Sequence, residues 1–177
     1  SRRRHTRFRN VTGVQTCALP ICLAEGSFAW GALPADLASG HQVIALDLRG
    51  HGGSSWAADR NYSLESYVAD AHEVLGSLAG EPIVLIGHSL GGDVAALVAS
   101  TNIHAIVGLA LIDAGPTFDQ GMGPIVADQI EHDQRPYASI DEFIERLAAQ
   151  RHLSQRHYLE RYAAEALQDR KSTRLNS

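Results

Sequence analysis

The stretch Ile83–Gly92, "IVLIGHSLGG", constrains the fold of this chain more than any other. It joins a short run of Ile, Val and Leu, typical of a buried β-strand, directly to the apolar run "LGGDVAALVAST", typical of a helix packed against a sheet. Gly87 and Gly91 lie two residues either side of Ser89, where side chains would collide in a tight turn. The stretch therefore predicts a strand, a tight turn and a helix in immediate succession.

Three apolar runs predict the strands of a parallel sheet. They are His41–Gly50, Glu81–Ser89 and Ile103–Gly115, and each is rich in Val, Ile or Leu. Near-continuous apolar runs of this kind suit a sheet that is covered on both faces. Because helical patterns alternate with them over short connections, the sequence predicts βαβ units and an α/β fold.

Two helical patterns accompany these strands. In "SLESYVADAHEVLGSLAG" the apolar residues form one stripe, which predicts a helix capped by Ser63 and stopped by Gly80. A weaker pattern, Ser27–Gly40, precedes the first strand, and Pro34 can occupy its first turn.

After Gly115 the pattern changes from strands to helices. Residues 120–168 show no strand pattern, and two amphipathic helices are predicted within them, Ile140–Gln150 and Ser154–Leu167. Ser139 and Ser154 are the predicted N-caps, and Ser139 stands at capping-box spacing from Glu142.

The two ends of the chain match each other as DNA. One choice of codons for Asp169–Ser177, "DRKSTRLNS", is GAT CGG AAG AGC ACA CGT CTG AAC TCC, and its reverse complement encodes "GVQTCALPI", the sequence of Gly13–Ile21. The match predicts that both ends derive from one sequencing adapter read in opposite orientations, with Ser1–Thr12 as its outer part. Residues 1–22 and 169–177 are therefore expected not to be native, and they are left out of fold prediction. The alternative is a basic arm that binds nucleic acid or membrane.

Setting the ends aside changes the charge of the chain. The whole sequence has a formal net charge of −5, whereas residues 23–168 keep seven arginines and 19 acidic residues, a formal net charge of −12. An acidic surface of this kind argues against nucleic acid and anionic membranes as partners. Both cysteines, Cys17 and Cys22, fall within residues 1–22, so cysteine content does not indicate a redox compartment.

G-x-S-x-G at the junction of a strand and a helix is the setting of a nucleophile elbow. It predicts that Ser89 projects its hydroxyl above the carboxyl edge of the sheet, near the positive end of the following helix. The backbone N–H of Leu90 would be one oxyanion donor there. The alternative is a glycine-rich turn that serves only close helix–strand packing.

Together, "VIALDLRGHGGSS" (Val43–Ser55) and "VLIGHSLGG" resemble the α/β-hydrolase fold family of serine hydrolases. The resemblance runs from about Trp30 to Gly115, and the later helices are similar to the family's cap. It implies a partial α/β-hydrolase fold, with central parallel strands and flanking helices as a core over residues 23–119 and part of a helical cap over residues 120–168.

The resemblance also implies site residues. Ser89 would be the nucleophile, Leu23 the possible second oxyanion donor, and Asp113 a possible acid, although an ordinary strand-end residue is the favoured interpretation of Asp113. Arg49 and His51 are expected to be structural or pocket-rim residues. Four other histidines are expected to pack or face solvent: His88, His132, His152 and His157.

The implied function is hydrolysis of an ester, lactone or similar small acyl substrate through an acyl-enzyme on Ser89, with no cofactor and no metal. The family's acid and His normally follow strands after the cap, so this chain is expected to be an inactive fragment of its parent, without its true N-terminus. Alternatives are a cofactor-free haloperoxidase or acyltransferase, or a non-catalytic ligand-binding relative. A cytoplasmic location is the default, the oligomeric state is open, and incomplete strands at the sheet edge predict aggregation.

Overall fold

The computed structural model describes residues 7–11, 16–20, 26–78, 80–101, 105–115, 137–151 and 154–167, with the backbone alone for the first two ranges. Its strands are β1 (Arg7–Val11), β2 (Thr16–Pro20), β3 (Gln42–Asp47), β4 (Ile83–His88) and β5 (Ile106–Ile112). They form one sheet in the order β1-β3-β2-β4-β5. Strands β2 to β5 are parallel and β1 is antiparallel to β3, so the predicted α/β sheet is confirmed.

Strands β3, β4 and β5 lie within the three predicted apolar runs, but β1 and β2 were not predicted. Strand β2 lies between β3 and β4, with Cys17 opposite both Val43 and Val84. A parallel ladder is made by backbone N–H and C=O groups, so any extended segment can pair in that position. The adapter interpretation of residues 1–22 stays a prediction.

Three helices and one 3₁₀ helix accompany these strands. They are the 3₁₀ helix Ser27–Trp30, α1 (Leu33–Leu37), α2 (Leu64–Gly76) and α3 (Leu90–Ser100). Pro34 lies in the first turn of α1, as predicted. The predicted cap of α2 is also confirmed, because Ser63 Oγ accepts a hydrogen bond from the amide of Ser66.

The predicted end of α2 at Gly80 is wrong, because the helix ends at Gly76. The amide of Ser77 bonds back only three residues, to the carbonyl of Val74, so the helix tightens and stops there. The Ser77 hydroxyl donates to the same carbonyl at 2.6 Å. Gly80, with φ +89°, lies in the turn beyond.

The helices cover both faces of the sheet. On one face α2 and α3 pack on alternate residues of β4, and the buried members of this cluster are Leu48, Tyr67, Ala71, Leu75, Ile83, Leu85, Val94, Ala95 and Val98. On the other face, Trp30, Leu37 and Ala38 pack against Val43 and Ala45 together with the remaining apolar residues of β4, Val84 and Ile86. Strand β4 is therefore sandwiched between two apolar layers, which fixes the position of the turn that follows it.

Strand β5 differs from β4 because its apolar side chains are exposed. Val107 is 62 %, Leu109 43 % and Leu111 41 % exposed, and these three residues share one face of the strand. Ile106, which points to the other face, packs against the α2–α3 cluster. Within the described residues, β5 pairs with β4 alone. One face of β5 is therefore exposed, and one of its edges has no paired strand among the described residues.

The chain divides into two compact units, Ser1–Pro116 and Thr117–Ser177. The described helices of the second unit are α4 (Ile140–Gln150) and α5 (Arg156–Ala166). Their buried residues are Phe143, Ile144, Leu147, Leu159, Ala163 and Ala166. The two helices were predicted from their apolar stripes, and both are confirmed.

One of the two predicted caps in this unit is confirmed and the other is wrong. Ser139 Oγ accepts from the amide of Glu142 at 3.1 Å, and the Glu142 carboxylate accepts from the amide of Ala138 at 2.7 Å. Ser154 does not cap α5, which begins after Gln155 with no side-chain cap. The amide of Ser154 instead donates to the carbonyl of Arg151, so Ser154 belongs to the turn that follows α4.

Candidate active site

Ser89 occupies the single position between β4 and α3. Its backbone has φ +51° and ψ −123°, a conformation that residues other than glycine rarely adopt. Such strained residues persist only where the surrounding structure holds them, and they cluster at functional sites. The predicted strand, tight turn and helix are therefore present, with the strain at the predicted nucleophile.

Close backbone packing around Ser89 explains the glycines. A Cβ atom on Gly87 would lie 2.3 Å from the carbonyl oxygen of Gly91 and 2.6 Å from Cα of Gly92. A Cβ on Gly92 would lie 2.3 Å from the Cβ of Ala114. The steric role predicted for Gly87 is confirmed, and Gly91 supplies the carbonyl that Gly87 meets. The role of Gly92 was missed, although the doublet "GG" was its signal.

Hydrogen bonds at the start of α3 leave the Ser89 hydroxyl out of the helix cap. The Ser89 carbonyl accepts from the amides of Gly92 (2.8 Å) and Asp93 (3.2 Å), whereas its side chain makes no cap hydrogen bond. The first amides of a helix have no acceptor within it, which makes a helix N-terminus a site for anions. The predicted oxyanion donor, the amide of Leu90, is the first of these.

The turn is also attached to the end of β5. The Ser89 amide donates to the carbonyl of Ile112 at 2.9 Å. The next residue, Asp113, is exposed and has φ +49°, a second strained backbone. The structure therefore brings the backbones of Ser89 and Asp113 to one place at the carboxyl edge of the sheet.

Leu23, the predicted second oxyanion donor, lies outside the described residues. In the sequence it follows β2, the strand beside β4, and it precedes Gly26, the next described residue. There the amide of Ser27 donates to the Asp47 carboxylate at 2.5 Å, and the amide of Gly53 donates to it at 3.0 Å. These contacts of Asp47 were not predicted.

Arg49 and His51 lie in the loop after β3 and are both held in place. The Arg49 guanidinium donates to both oxygens of Asp70, at 2.6 and 2.5 Å, and to the carbonyl of Asn61. The hydrogen bond to Asp70 raises the pKa of Arg49 above its usual value. His51 is buried, with Nδ1 2.9 Å from the carbonyl of Arg49 and its ring edge-on to Tyr67. These contacts support the structural interpretation of both residues.

The other histidines occupy different places. His88 ends β4 and is half-buried, and strand alternation places it on the face of Val84 and Ile86. His157 is exposed on α5 beside Tyr158, with ring centroids 4.0 Å apart. His132 and His152 lie outside the described residues.

Asp93 is the acidic residue closest in sequence to the turn. It lies in the first turn of α3, and burial raises its pKa above the usual value. Among the described residues, no group of three His, Cys, Asp or Glu side chains could hold a metal ion. No described helix is long and apolar enough to cross a membrane.

A family model matches most of the chain. The model, described as "Alpha/beta hydrolase family", matches residues 22–175. Protein phosphatase methylesterase 1 of Bos taurus is 37 % identical over 95 residues, which are 50 % of this chain and 25 % of that protein. Fluoroacetate dehalogenase of a Burkholderia species is 34 % identical over 93 residues, 50 % of this chain and 31 % of that protein. The chain thus matches about a quarter to a third of these relatives' length.

A solved structure shows the same fold over a longer part. The crystal structure of E-2-(acetamidomethylene)succinate hydrolase superposes with a TM-score of 0.80 at 20 % identity, covering 89 % of this chain and 59 % of that one. At this identity the similarity shows the fold alone.

Proposed function

Because the chain belongs to the alpha/beta hydrolase family, we propose that it is part of a serine hydrolase that transfers an acyl group to water through Ser89. The observation that carries this proposal is the strained backbone of Ser89 at the junction of β4 and α3. In the proposed reaction Ser89 Oγ bonds to the carbonyl carbon of an ester, lactone or similar substrate, and the bond to the alkoxy oxygen breaks. The alcohol departs from an ester and stays attached to the acyl chain in a lactone. Water then attacks the acyl-enzyme and releases the acid.

The identity of the nucleophile supports an acyl substrate. An aspartate at this position would favour dehalogenation or epoxide hydrolysis, and relatives named for both reactions match about half of this chain. Serine at position 89 favours the chemistry of the relative named as a methylesterase. The proposed substrate is a small acyl compound, handled without a cofactor and without nucleic acid or a membrane as a partner.

The amide of Leu90 is the proposed first oxyanion donor, since it begins α3 beside Ser89. Leu23 is the proposed second. Asp113 is a candidate for the acid because its backbone adjoins that of Ser89 through Ile112. The base that takes the Ser89 proton is proposed to lie in a longer parent protein, and this chain is therefore expected to have almost no turnover.

The adapter origin of the two ends is part of the same proposal. The family match begins at residue 22, one residue before the proposed native segment, and it extends to residue 175, beyond Gln168. Sequencing the gene in its source DNA tests this origin: a genome that encodes "GVQTCALPI" in place would contradict it.

Covalent labelling with a fluorophosphonate tests the nucleophile without requiring turnover. Ser89 Oγ forms a bond to phosphorus, fluoride leaves, and added imidazole accepts the serine proton in place of the absent base. We expect label on the peptide that contains Ser89, and we expect imidazole to accelerate its formation.

The controls are Ser89→Ala and, for a serine at the far end of the same helix, Ser100→Ala. Ser89→Ala should abolish the label and Ser100→Ala should leave it unchanged. Equal labelling of the Ser89→Ala chain would contradict the proposed nucleophile. Ester turnover that disappears in Ser89→Ala would instead contradict the proposed inactivity of this chain.

A further inference from the structure

Asp47 is a buried carboxylate that bonds to the backbone of two separate segments, the start of the 3₁₀ helix at Ser27 and the loop after β3. It ends β3 and is 5 % exposed. One oxygen accepts from the amide of Ser27 at 2.5 Å and the other from the amide of Gly53 at 3.0 Å. Its own carbonyl accepts from the hydroxyl of Ser54 at 2.6 Å. A buried carboxylate needs such donors, so its position and that of the two segments are fixed together.

The two segments also meet each other around this carboxylate. A Cβ on Gly52, where φ is +47°, would lie 2.5 Å from Cγ of Asp47. A Cβ on Gly26 would lie 3.0 Å from Cα of Gly52. Glycine at both positions allows the segment Gly26–Ser27 and the loop after β3 to contact one another. Asp47 therefore joins two segments that pack around it too closely for a Cβ atom at Gly52.

These contacts lie at the edge of the sheet that carries Ser89. Strands β2, β3 and β4 are parallel, so their carboxyl ends share one edge, and β2 lies between the other two. Ser89 follows β4, Asp47 ends β3, and the chain that leaves β2 is described again at Gly26. Asp47 thus bonds to the backbone of Ser27, which follows the strand beside the nucleophile after its last residue, Pro20.

We propose that Asp47 is a positioning residue, which sets the backbone at Gly26–Ser27 relative to Ser89 and so aligns the oxyanion side of the site. This inference rests on the proposed function, in which backbone before Gly26 supplies the second oxyanion donor. Asp47 acts through the amide of Ser27 and takes no part in bond making. Its removal is expected to slow the reaction of Ser89 and to leave reagent binding unchanged.

Asp70 provides the matched control for a merely structural role. It is also buried, 8 % exposed against 5 % for Asp47, and belongs to the same unit, but its partner is the Arg49 side chain. Asp47→Asn and Asp70→Asn remove the same charge and keep the same shape. The full chain would be studied at a temperature where both variants stay folded by circular dichroism.

The first measurement is hydrogen exchange of single amides by NMR. In Asp47→Asn the Ser27 and Gly53 amides should exchange at least about ten-fold faster relative to the amide of Ile83, which bonds within the sheet region to Ala105. In Asp70→Asn these ratios should not change. Unchanged exchange in a folded Asp47→Asn chain overturns the proposal.

The second measurement is the rate of fluorophosphonate labelling of Ser89 with imidazole present. Asp47→Asn should lower the maximal labelling rate about ten-fold or more, because small displacements of donors are costly, and leave the half-saturating reagent concentration unchanged. Equal effects of Asp47→Asn and Asp70→Asn overturn the positioning role. If Ser89 takes no label even in the unsubstituted chain, the proposed function fails, and the exchange data still decide whether Asp47 holds the two segments.

If Asp47→Asn does not fold, the unsubstituted chain supplies the test. Scalar couplings through the two hydrogen bonds should then connect the amide nitrogens of Ser27 and Gly53 to the ¹³Cγ of Asp47. Absence of both couplings would overturn the proposal.

Discussion

The backbone amide of Ser89 donates a hydrogen bond of 2.9 Å to the carbonyl of Ile112. The elbow between β4 and α3 is thereby fastened to the end of β5, where the next residue, Asp113, has φ +49°. Ser89 itself has φ +51°. Two residues with strained backbones therefore lie next to this hydrogen bond. The packing of the surrounding sheet must offset the unfavourable free energy of their conformations.

Replacement of Ser89 by glycine should stabilise the chain relative to replacement by alanine. A strained backbone costs about 1–3 kcal/mol in a residue with a Cβ, whereas glycine loses about 0.5–1 kcal/mol in conformational entropy. We expect the free energy of unfolding of Ser89→Gly to exceed that of Ser89→Ala by about 1 kcal/mol. Urea denaturation followed by circular dichroism measures the difference, and a less stable glycine variant would show that Ser89 is not strained.

Gly87→Ala should destabilise the chain strongly, because its Cβ would meet backbone atoms of Gly91 and Gly92 that cannot move aside. The expected loss is about 3 kcal/mol, at the upper end for overpacking. Gly76→Ala is the control: its Cβ meets nothing within 4 Å and it lies in α2. That variant should be more stable than the unsubstituted chain by about 0.5–1 kcal/mol, and equal effects of the two would contradict the packing at the elbow.

The open face and edge of β5 predict association of the chain with itself. Seven uncharged residues without proline form this strand, and such unprotected edges favour pairing between molecules. Leu109→Lys should raise the concentration at which the chain associates about ten-fold or more, since each buried leucine contributes about 1.5–3 kcal/mol. Sedimentation velocity measures the shift. Leu97→Lys, at an equally exposed leucine on α3, should raise this concentration less. An equal rise in both variants would show that association does not occur specifically through β5.

The cap of α4 predicts a pH dependence in the second unit. The amide of Ala138 and, secondly, the guanidinium of Arg146 hold the pKa of Glu142 below its usual value. Because the folded-state pKa is the lower one, the stabilisation is complete above the unfolded-state pKa and disappears as the pH falls through the folded-state pKa. Glu142→Gln should therefore lower the melting temperature near neutral pH and reduce its fall in acid.

Glu145→Gln is the control for this prediction. Glu145 lies on the same helix and pairs with Arg156, while the contacts of Glu142 are untouched. Melting temperatures from pH 7 to pH 3 should keep their full acid dependence in Glu145→Gln. If both variants showed the melting temperatures of the unsubstituted chain over this pH range, the contacts of Glu142 at the cap would not contribute to stability.

Local signals account for what the sequence predicts well. The apolar runs of β3, β4 and β5 and the stripes of α2 and α4 are periodic within a few residues, so their type can be inferred directly. The strand, turn and helix at Ser89 are predicted because sterics at Gly87 act between residues close in sequence. The N-caps Ser63 and Ser139 are predicted for the same reason.

Contacts between distant residues explain most of what the sequence does not predict. Asp47 and Ser27 are 20 residues apart, and Gly92 meets Ala114 across 22 positions. No periodic pattern indicates either contact. The predicted N-cap at Ser154 is wrong because the neighbouring polar residue, Gln155, precedes α5 instead. The amide of Ser154 bonds within the turn that follows α4.

The central place of β2 matters for any attempt to trim the chain. A shortened protein that begins at Leu23 would remove the strand that pairs with both β3 and β4. The two remaining halves of the sheet would face each other across a gap about one strand wide, each with a newly unpaired row of backbone groups. We therefore expect the shortened protein to be less stable than the full chain, although the residues of β2 are proposed to be foreign to the gene.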